Sequence, residues 1–104
     1  MKTRKEYDSL GQVNVPVDKY WGASTERSKK YFNIGDILIN PVIIQSIAII
    51  KKSAAIVHLK NRKSEKKIAT AIIKAADEVI SGKLNDHFPL KVWQTGSGTQ
   101  TNMN

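Results

Sequence analysis

The stretch Asn40–Gly82, NPVIIQSIAIIKKSAAIVHLKNRKSEKKIATAIIKAADEVISG, decides the fold, because its start and stop signals predict two helices joined by a short polar turn. Asn40 can cap the first helix. Pro41 suits the first helical position, where its missing N–H would have no intrahelical partner in any case. This helix is predicted to run to about Leu59 and to end in the turn Lys60–Lys63.

The second helix is predicted to begin after Ser64, which can cap it, and to stop at Gly82. Steps of three and four residues predict one apolar stripe along each helix. The stripes consist of Ile43, Ile47, Ile50, Ala54 and Val57, and of Ile68, Ile72, Ala75, Ala76, Val79 and Ile80, while Ile44, Ile49, Ile56 and Ile73 lie off them. Small side chains at Ala54, Ala55, Ala75 and Ala76 favour a close approach. Two such amphipathic helices predict an antiparallel hairpin.

The segments on either side of this hairpin have different patterns. Up to about Trp21, alternating valines between Gly11 and Val17 predict extended chain and turns, and a short helix is predicted to start at Ser24 or Thr25. After Gly82 the chain is predicted to be extended, with Leu90, Val92 and Trp93 buried. The predicted fold class is mainly α, with no internal domain boundary.

The composition restricts the function classes. A chain of 104 residues makes at most one domain, and the absence of cysteine excludes disulfides and thiolate metal sites. The net charge of +8 invites a nucleic-acid or membrane partner. Its cations cluster at Lys51-Lys52 and Lys60–Lys67 without an aromatic residue on which a base could stack, so we expect a solvated helix face and no nucleic-acid partner.

No segment of the sequence indicates export or a membrane span. The basic N-terminus has no apolar run behind its charges, which argues against a secretory signal. The apolar run Pro41–Ile50 contains Gln45 and Ser46 and stops at Lys51-Lys52, so it is expected to be too short and too polar to span a bilayer. We therefore expect a cytoplasmic protein without a membrane partner.

The segment Gly96-Ser97-Gly98-Thr99 carries the strongest chemical signal. Glycines on both sides of Ser97 allow positive φ and a close backbone approach to a ligand, and Thr99 or Thr101 can cap a following helix. Free N–H groups and hydroxyls would then favour an anion. The P-loop lysine and the third glycine of a dinucleotide loop are both absent, so a carboxylate is the better anion. A plain glycine turn is the alternative.

The two histidines do not indicate a metal site. His58 and His87 stand alone, without a cysteine partner, and neither has the spacing of a metal-ligand motif. His87 follows Asp86, which could orient it, but decoration of a turn is the simpler interpretation.

Three stretches resemble class II fumarate hydratases of the fumarase/aspartase superfamily. WQTGSGTQTNMN at 93–104 is similar to that family's first active-site segment, DSLGQVNVPVDKYWGASTERSKKYFNIG at 8–35 to its opening, and AADEVISGKLNDHFPLKVW at 75–93 to its approach to the loop. Aspartases usually carry Gly-Gly-Ala where Thr95-Gly96-Ser97 stands, which favours a fumarase. An aspartase-like lyase segment remains an alternative.

The resemblance implies reversible hydration of a small dicarboxylate, fumarate, to L-malate in the tricarboxylic acid cycle, without a metal or organic cofactor. Ser97, Gly98 and Thr99 are implied to contact a substrate carboxylate, and Asn102 to help shape the site. The family's acid and base match no residue of this chain. The family's members are homotetramers whose active sites draw on three subunits.

The family's members are several times longer than this chain, which resembles only their opening. Residues 1–104 are therefore expected to form a single but incomplete N-terminal domain of a fumarase/aspartase-like fold. Such a fragment is expected to be inactive alone. The alternative is a non-catalytic remnant of a disrupted fumarase gene.

Overall fold

A computed structural model describes all 104 residues, Met1 to Asn104. The chain forms two compact units, one of residues 40–85 and one of residues 1–39 together with 86–104. The prediction of a mainly α fold is confirmed. The elements are β1 (Thr3–Asp8), β2 (Gly11–Pro16), α1 (Ala23–Tyr31), α2 (Pro41–Lys60), α3 (Lys66–Ile80), a 3-10 turn (Asn85–His87) and α4 (Thr99–Met103).

The extended N-terminal segment is a two-stranded hairpin. β1 and β2 pair antiparallel in a register that runs from Thr3 opposite Pro16 to Asp8 opposite Gly11. Gly11 has φ 116°, a left-handed value that other residues rarely adopt. The Leu10 N–H donates to Asp8 Oδ1 at 2.9 Å and so shapes the turn. The charged stretch TRKEYD gives little strand signal, which is why β1 was not predicted as a strand.

Arg4 anchors the connection from β2 to α1. Its guanidinium donates to the carbonyls of Pro16 and Lys19, both at 2.7 Å, and to that of Trp21 at 2.6 Å. One side chain thus binds three carbonyls of this connection, of which that of Pro16 also accepts the Lys19 N–H at 3.2 Å. The buried Trp21 donates from Nε1 to Glu26 Oε2 at 2.6 Å. These bonds fix the direction in which α1 leaves the hairpin.

The predicted start of α1 was wrong by one or two residues. The helix begins at Ala23 after Gly22, which has no side chain for capping. Ser24 instead donates to Asp8 Oδ2 at 3.5 Å, and the buried Thr25 donates to the carbonyl of Met103 at 3.4 Å. Both hydroxyls are used in tertiary contacts, which a local capping rule does not anticipate.

The central hairpin agrees with prediction at the start of α2. Asn40 Oδ1 accepts the Val42 N–H at 2.9 Å, with Pro41 at the first helical position. α2 ends at Lys60 in a Schellman motif, in which Lys63 N–H donates to the His58 carbonyl at 2.9 Å and Arg62 N–H to that of Leu59 at 3.3 Å. Arg62 has φ 54°, although glycine is the usual residue at this position.

α3 begins and ends differently. Glu65 precedes its first residue and no side chain caps it, so the prediction of a Ser64 cap was wrong. Its end was predicted correctly: Gly82 adopts φ 84°, and its N–H donates to the Val79 carbonyl at 3.1 Å.

The predicted packing stripes were wrong in most members. The buried residues of the two helices are Ile44, Ala48 and Ala55 in α2 and Ala69 and Ala76 in α3. Each helix thus carries two buried alanines seven residues apart. The predicted stripe is largely on the outside, with Ile50 66% and Val57 52% exposed. α2 is apolar around most of its circumference, so periodicity could not select its buried face.

α2 also corrects the expectation about a membrane span. By length and composition it could cross a membrane, because an 18-residue window within its 20 residues has a mean hydropathy of 1.6. Only 11% of that window is buried in the folded chain. The helix extends past Ile50, where the apolar run was expected to stop. Lys51 and Lys52 stand near its middle, where each charge would cost roughly 2.5–3.5 kcal/mol at the centre of a bilayer. The apolar composition of α2 is therefore only weak evidence for a membrane span.

The segment before the glycine loop is held by a short antiparallel pairing. The Ile39 N–H donates to the Leu90 carbonyl at 3.2 Å, and the Val92 N–H donates to the Ile37 carbonyl at 3.0 Å. Leu90 is buried as predicted, with 1% exposed, whereas Val92 and Trp93 are 37% and 61% exposed, contrary to prediction. The pairing ends at Val92, so the residues after it receive no support from a strand.

Candidate functional site

The glycine loop, defined here as Thr95–Thr99, is a turn that leads into α4. Gly98 adopts φ 81° and directly precedes the helix. Gly96 does not have positive φ, and nothing lies within 4 Å of a Cβ built on it. The structure therefore requires glycine at one of the two positions. Thr99 is the first helical residue and Thr101 lies inside the helix. The prediction that one of these threonines caps the helix was therefore wrong.

Three hydroxyls of the loop form a row. Thr95 Oγ1 and Ser97 Oγ are 3.1 Å apart, and Ser97 Oγ donates to Thr99 Oγ1 at 3.3 Å. Ser97 Oγ also accepts the Thr99 N–H at 3.4 Å. All three residues are exposed. The N–H groups of the first turn of α4 have no intrahelical partner, so hydroxyl and amide donors occur together at an open surface.

Asn102 lies on the same short helix as Thr99. Its N–H donates to the Gly98 carbonyl at 3.0 Å, and the residue is exposed. The structure thus brings Ser97, Gly98 and Thr99 together in one turn, with Asn102 on the following turn of α4. A helix of five residues has a weak dipole, so the donor groups themselves, and not the helix, supply most of the attraction for an anion.

Side chains of α1 hold α4 in place. Gln100 Nε2 donates to Ser28 Oγ at 2.9 Å, and Thr25 Oγ1 donates to the Met103 carbonyl at 3.4 Å. Ser28 and Thr25 are both buried. No local sequence pattern indicates the pair Ser28–Gln100, because its members are 72 residues apart.

A groove of about 540 Å³ lies between the glycine loop and α1. Thr95 and Thr99 line it on the loop side, and Tyr31 and Phe32 line it on the other side. Arg27 also reaches the groove but binds Asp8, with Nε to Oδ2 at 3.0 Å and Nη2 to Oδ1 at 2.9 Å. This hydrogen-bonded pair lowers the pKa of Asp8 and raises that of Arg27. Most of the positive charge of Arg27 is thereby compensated.

The histidines stand where no metal site forms. His58 is exposed on α2, and His87 Nδ1 accepts the Tyr20 N–H at 3.0 Å in the 3-10 turn. The neighbouring Asp86 pairs with Lys19 at 2.6 Å, and this hydrogen bond lowers the pKa of Asp86. Nowhere in the chain do three or more His, Cys, Asp or Glu side chains form a group able to hold a metal ion.

Known proteins resemble this chain along its whole length. A family model described as "Lyase" matches residues 11–104. The class II fumarate hydratase of Bacillus cereus is 55% identical over 104 residues, which are 100% of this chain and 22% of that relative. The mitochondrial fumarate hydratase of Mus musculus is 56% identical over 103 residues, which are 97% of this chain and 20% of that relative.

The fold agrees with the sequence comparison. The crystal structure of class II fumarase from Schistosoma mansoni superimposes with a TM-score of 0.92 at 44% identity, over 97% of this chain and 22% of that one. The chain thus spans about a fifth of the length of the curated relatives that it matches. The resemblance to class II fumarate hydratases is confirmed, and the chain belongs to the lyase family whose model it matches over residues 11–104.

Proposed function

We propose that this chain forms one wall of the substrate site of a fumarate hydratase, which hydrates fumarate reversibly to L-malate. The observation that carries the proposal is the exposed row of hydroxyls at Thr95, Ser97 and Thr99, which directly precedes and begins α4. The names of the relatives support the same reaction, since the Bacillus cereus and Mus musculus proteins are both fumarate hydratases.

The chemistry of the loop suits a carboxylate. A carboxylate only accepts hydrogen bonds, so Ser97 exchanges its bond to Thr99 Oγ1 for one to the substrate, while Thr99 donates from its hydroxyl and Gly98 from its N–H. Asn102 helps to shape the site from the next turn of α4. Donors fixed in advance act most strongly where negative charge builds up in the transition state, as it does on the carboxylate beside the carbon that loses a proton. The loop therefore binds substrate and stabilises charge, while the groups that exchange protons lie outside this chain.

The wider assignments follow from the same family membership. Residues 1–104 are part of a single lyase domain. The whole enzyme is a homotetramer that is located in the cytoplasm and acts in the tricarboxylic acid cycle. It uses no metal or organic cofactor. The substrate is a small dicarboxylate, fumarate or L-malate, and neither nucleic acid nor membrane is a partner.

A chimera tests the proposal. The matching 104-residue segment of the Bacillus cereus relative is replaced by this chain, and fumarate consumption is followed by absorbance. We expect hydration of fumarate and no release of ammonia from L-aspartate. A folded chimera without activity on fumarate would contradict the proposal, and activity on aspartate would favour the aspartase alternative.

A further inference from the structure

The glycine loop receives little support from its own backbone. After the Val92 N–H, the next N–H that donates to a backbone carbonyl is that of Asn102, which donates to Gly98 at 3.0 Å. The loop is also exposed from Thr95 to Thr99. A segment with neither strand partners nor burial is ordered only if side chains restrain it. The positions of the hydroxyls therefore depend on side-chain contacts at the two ends of the loop.

One side chain connects those two ends. Gln94 Nε2 donates to the Lys91 carbonyl at 3.0 Å, and Gln94 Oε1 accepts the Thr101 hydroxyl at 2.8 Å. A backbone carbonyl can only accept, so the amide nitrogen must face Lys91, and the oxygen is left to face Thr101. Gln94, Thr101 and Lys91 are all half-buried, unlike the loop between them. The side chain thus closes the loop at its base.

We infer that Gln94 is a positioning residue of the carboxylate site, which holds the hydroxyls of Ser97 and Thr99 in the arrangement that binds substrate. The inference rests on the proposed function. Gln94 acts through the loop and does not touch the substrate. Its effect is to keep the binding-competent loop populated in the free protein.

This role has a kinetic signature. When only a fraction of the free protein is competent, the apparent dissociation constant rises by the inverse of that fraction. Bound substrate restores the loop through its contacts with the hydroxyls, so the chemical step stays close to normal. A lost catalytic group would instead lower kcat, and partial unfolding would lower the amount of active enzyme without changing KM.

The experiment uses the chimera described above with Gln94→Ala. Loss of two hydrogen bonds at the base of the loop is expected to raise KM for fumarate roughly tenfold, while kcat changes less than about threefold. Gln45→Ala is the matched control, because Gln45 is a half-buried glutamine that makes no side-chain hydrogen bond. It should leave both constants unchanged. An unchanged KM in Gln94→Ala, or a loss confined to kcat, would overturn the inference.

Three further variants sharpen the result. Thr101→Val removes one partner of Gln94 and keeps the shape of the side chain, so it should raise KM by less than Gln94→Ala. The double variant should be no worse than Gln94→Ala alone, because both changes break the same bond. Gln94→Glu keeps an acceptor for Thr101 but turns a carboxylate oxygen toward the Lys91 carbonyl, which repels it, so it should raise KM at least as much as Gln94→Ala. Fully additive effects would contradict the bridging role.

A second readout does not depend on activity. In the 104-residue chain, backbone order parameters of residues 95–99 measured by NMR should fall below about 0.6 in Gln94→Ala and stay near those of the parent in Gln45→Ala. If the chimera were inactive on fumarate, the proposed function would fail, and this measurement would still decide whether Gln94 orders the loop. A loop that is equally ordered in both variants would exclude that role.

Discussion

Arg27 binds Asp8 through two parallel hydrogen bonds, from Nε at 3.0 Å and from Nη2 at 2.9 Å. The pair joins the end of β1 to α1, and Arg27 also donates to the Gly11 carbonyl at 3.2 Å. A planar guanidinium fits both oxygens of a carboxylate, so this contact has a fixed geometry that a lysine could not reproduce.

The pair Arg27–Asp8 predicts how the stability of the folded chain depends on pH. The pKa of Asp8 is lowered in the folded chain, chiefly by its hydrogen bond with Arg27. A lowered carboxyl pKa contributes stability that is present above the unfolded value and is lost as pH falls through the folded value. We expect Asp8→Asn to unfold at lower urea concentration than the parent at pH 7, and this difference to shrink as the pH is lowered toward 2. Asp36→Asn, which breaks no ion pair, should match the parent at both pH values.

Arg62 predicts a stabilising substitution. Its φ of 54° is a left-handed conformation that costs a non-glycine residue about 1–2 kcal/mol, whereas glycine adopts it freely at a cost of about 0.5–1 kcal/mol in unfolded-state entropy. Arg62→Gly should therefore stabilise the hairpin by up to about 1 kcal/mol, measured by urea unfolding followed by circular dichroism. Arg62→Ala removes the same charge and keeps the strain, so it should not stabilise. Equal gains in both would show that charge, not strain, is relieved.

The hydroxyl row predicts a loss of activity in the chimera. Ser97→Ala and Thr99→Ala each remove one donor to a charged carboxylate, at a cost of about 1.5–3 kcal/mol, or roughly tenfold to over a hundredfold in kcat/KM. Ser53→Ala and Thr70→Ala are the controls, because they make the same two types of substitution at exposed positions on α2 and α3. Full activity in both loop variants would show that the loop is a structural turn.

The chain by itself is predicted to hydrate no fumarate. The family's acid and base match no residue here, and binding a carboxylate does not move a proton. The measurement is fumarate absorbance with the purified 104-residue chain at high concentration, and the chimera serves as the positive control. Turnover above the buffer rate would place a catalytic group within these residues.

The outer face of α2 predicts association of the isolated chain. Ile50 and Val57 are 66% and 52% exposed, and an apolar side chain of this size gains roughly 1.5–3 kcal/mol when it is buried. The chain should bind an apolar dye and sediment faster as its concentration rises. Ile50→Lys with Val57→Lys should abolish both effects without loss of helical dichroism. Ala54→Lys, also exposed on α2, controls for added charge.

The sequence predicted the elements with local signals and missed those set by tertiary contacts. Asn40-Pro41 and Gly82 marked helix ends correctly, because a cap or a left-handed glycine acts within a few residues. The buried face of α2 could not be predicted, because isoleucines occur around most of its circumference. At the candidate site the turn at Gly98 and the helix after it were predicted, whereas the contacts of Gln94 and Ser28 were not, because their partners are set by the folded chain.

The alanines that recur every seven residues also limit how this hairpin can change. Ala48, Ala55, Ala69 and Ala76 are buried with 1–7% of their surface exposed, so each leaves room for a single methyl group. Enlarging one of them to leucine would force neighbouring atoms apart at a cost of roughly 1–3 kcal/mol. Sequence drift in this hairpin should therefore be slow at these four small side chains.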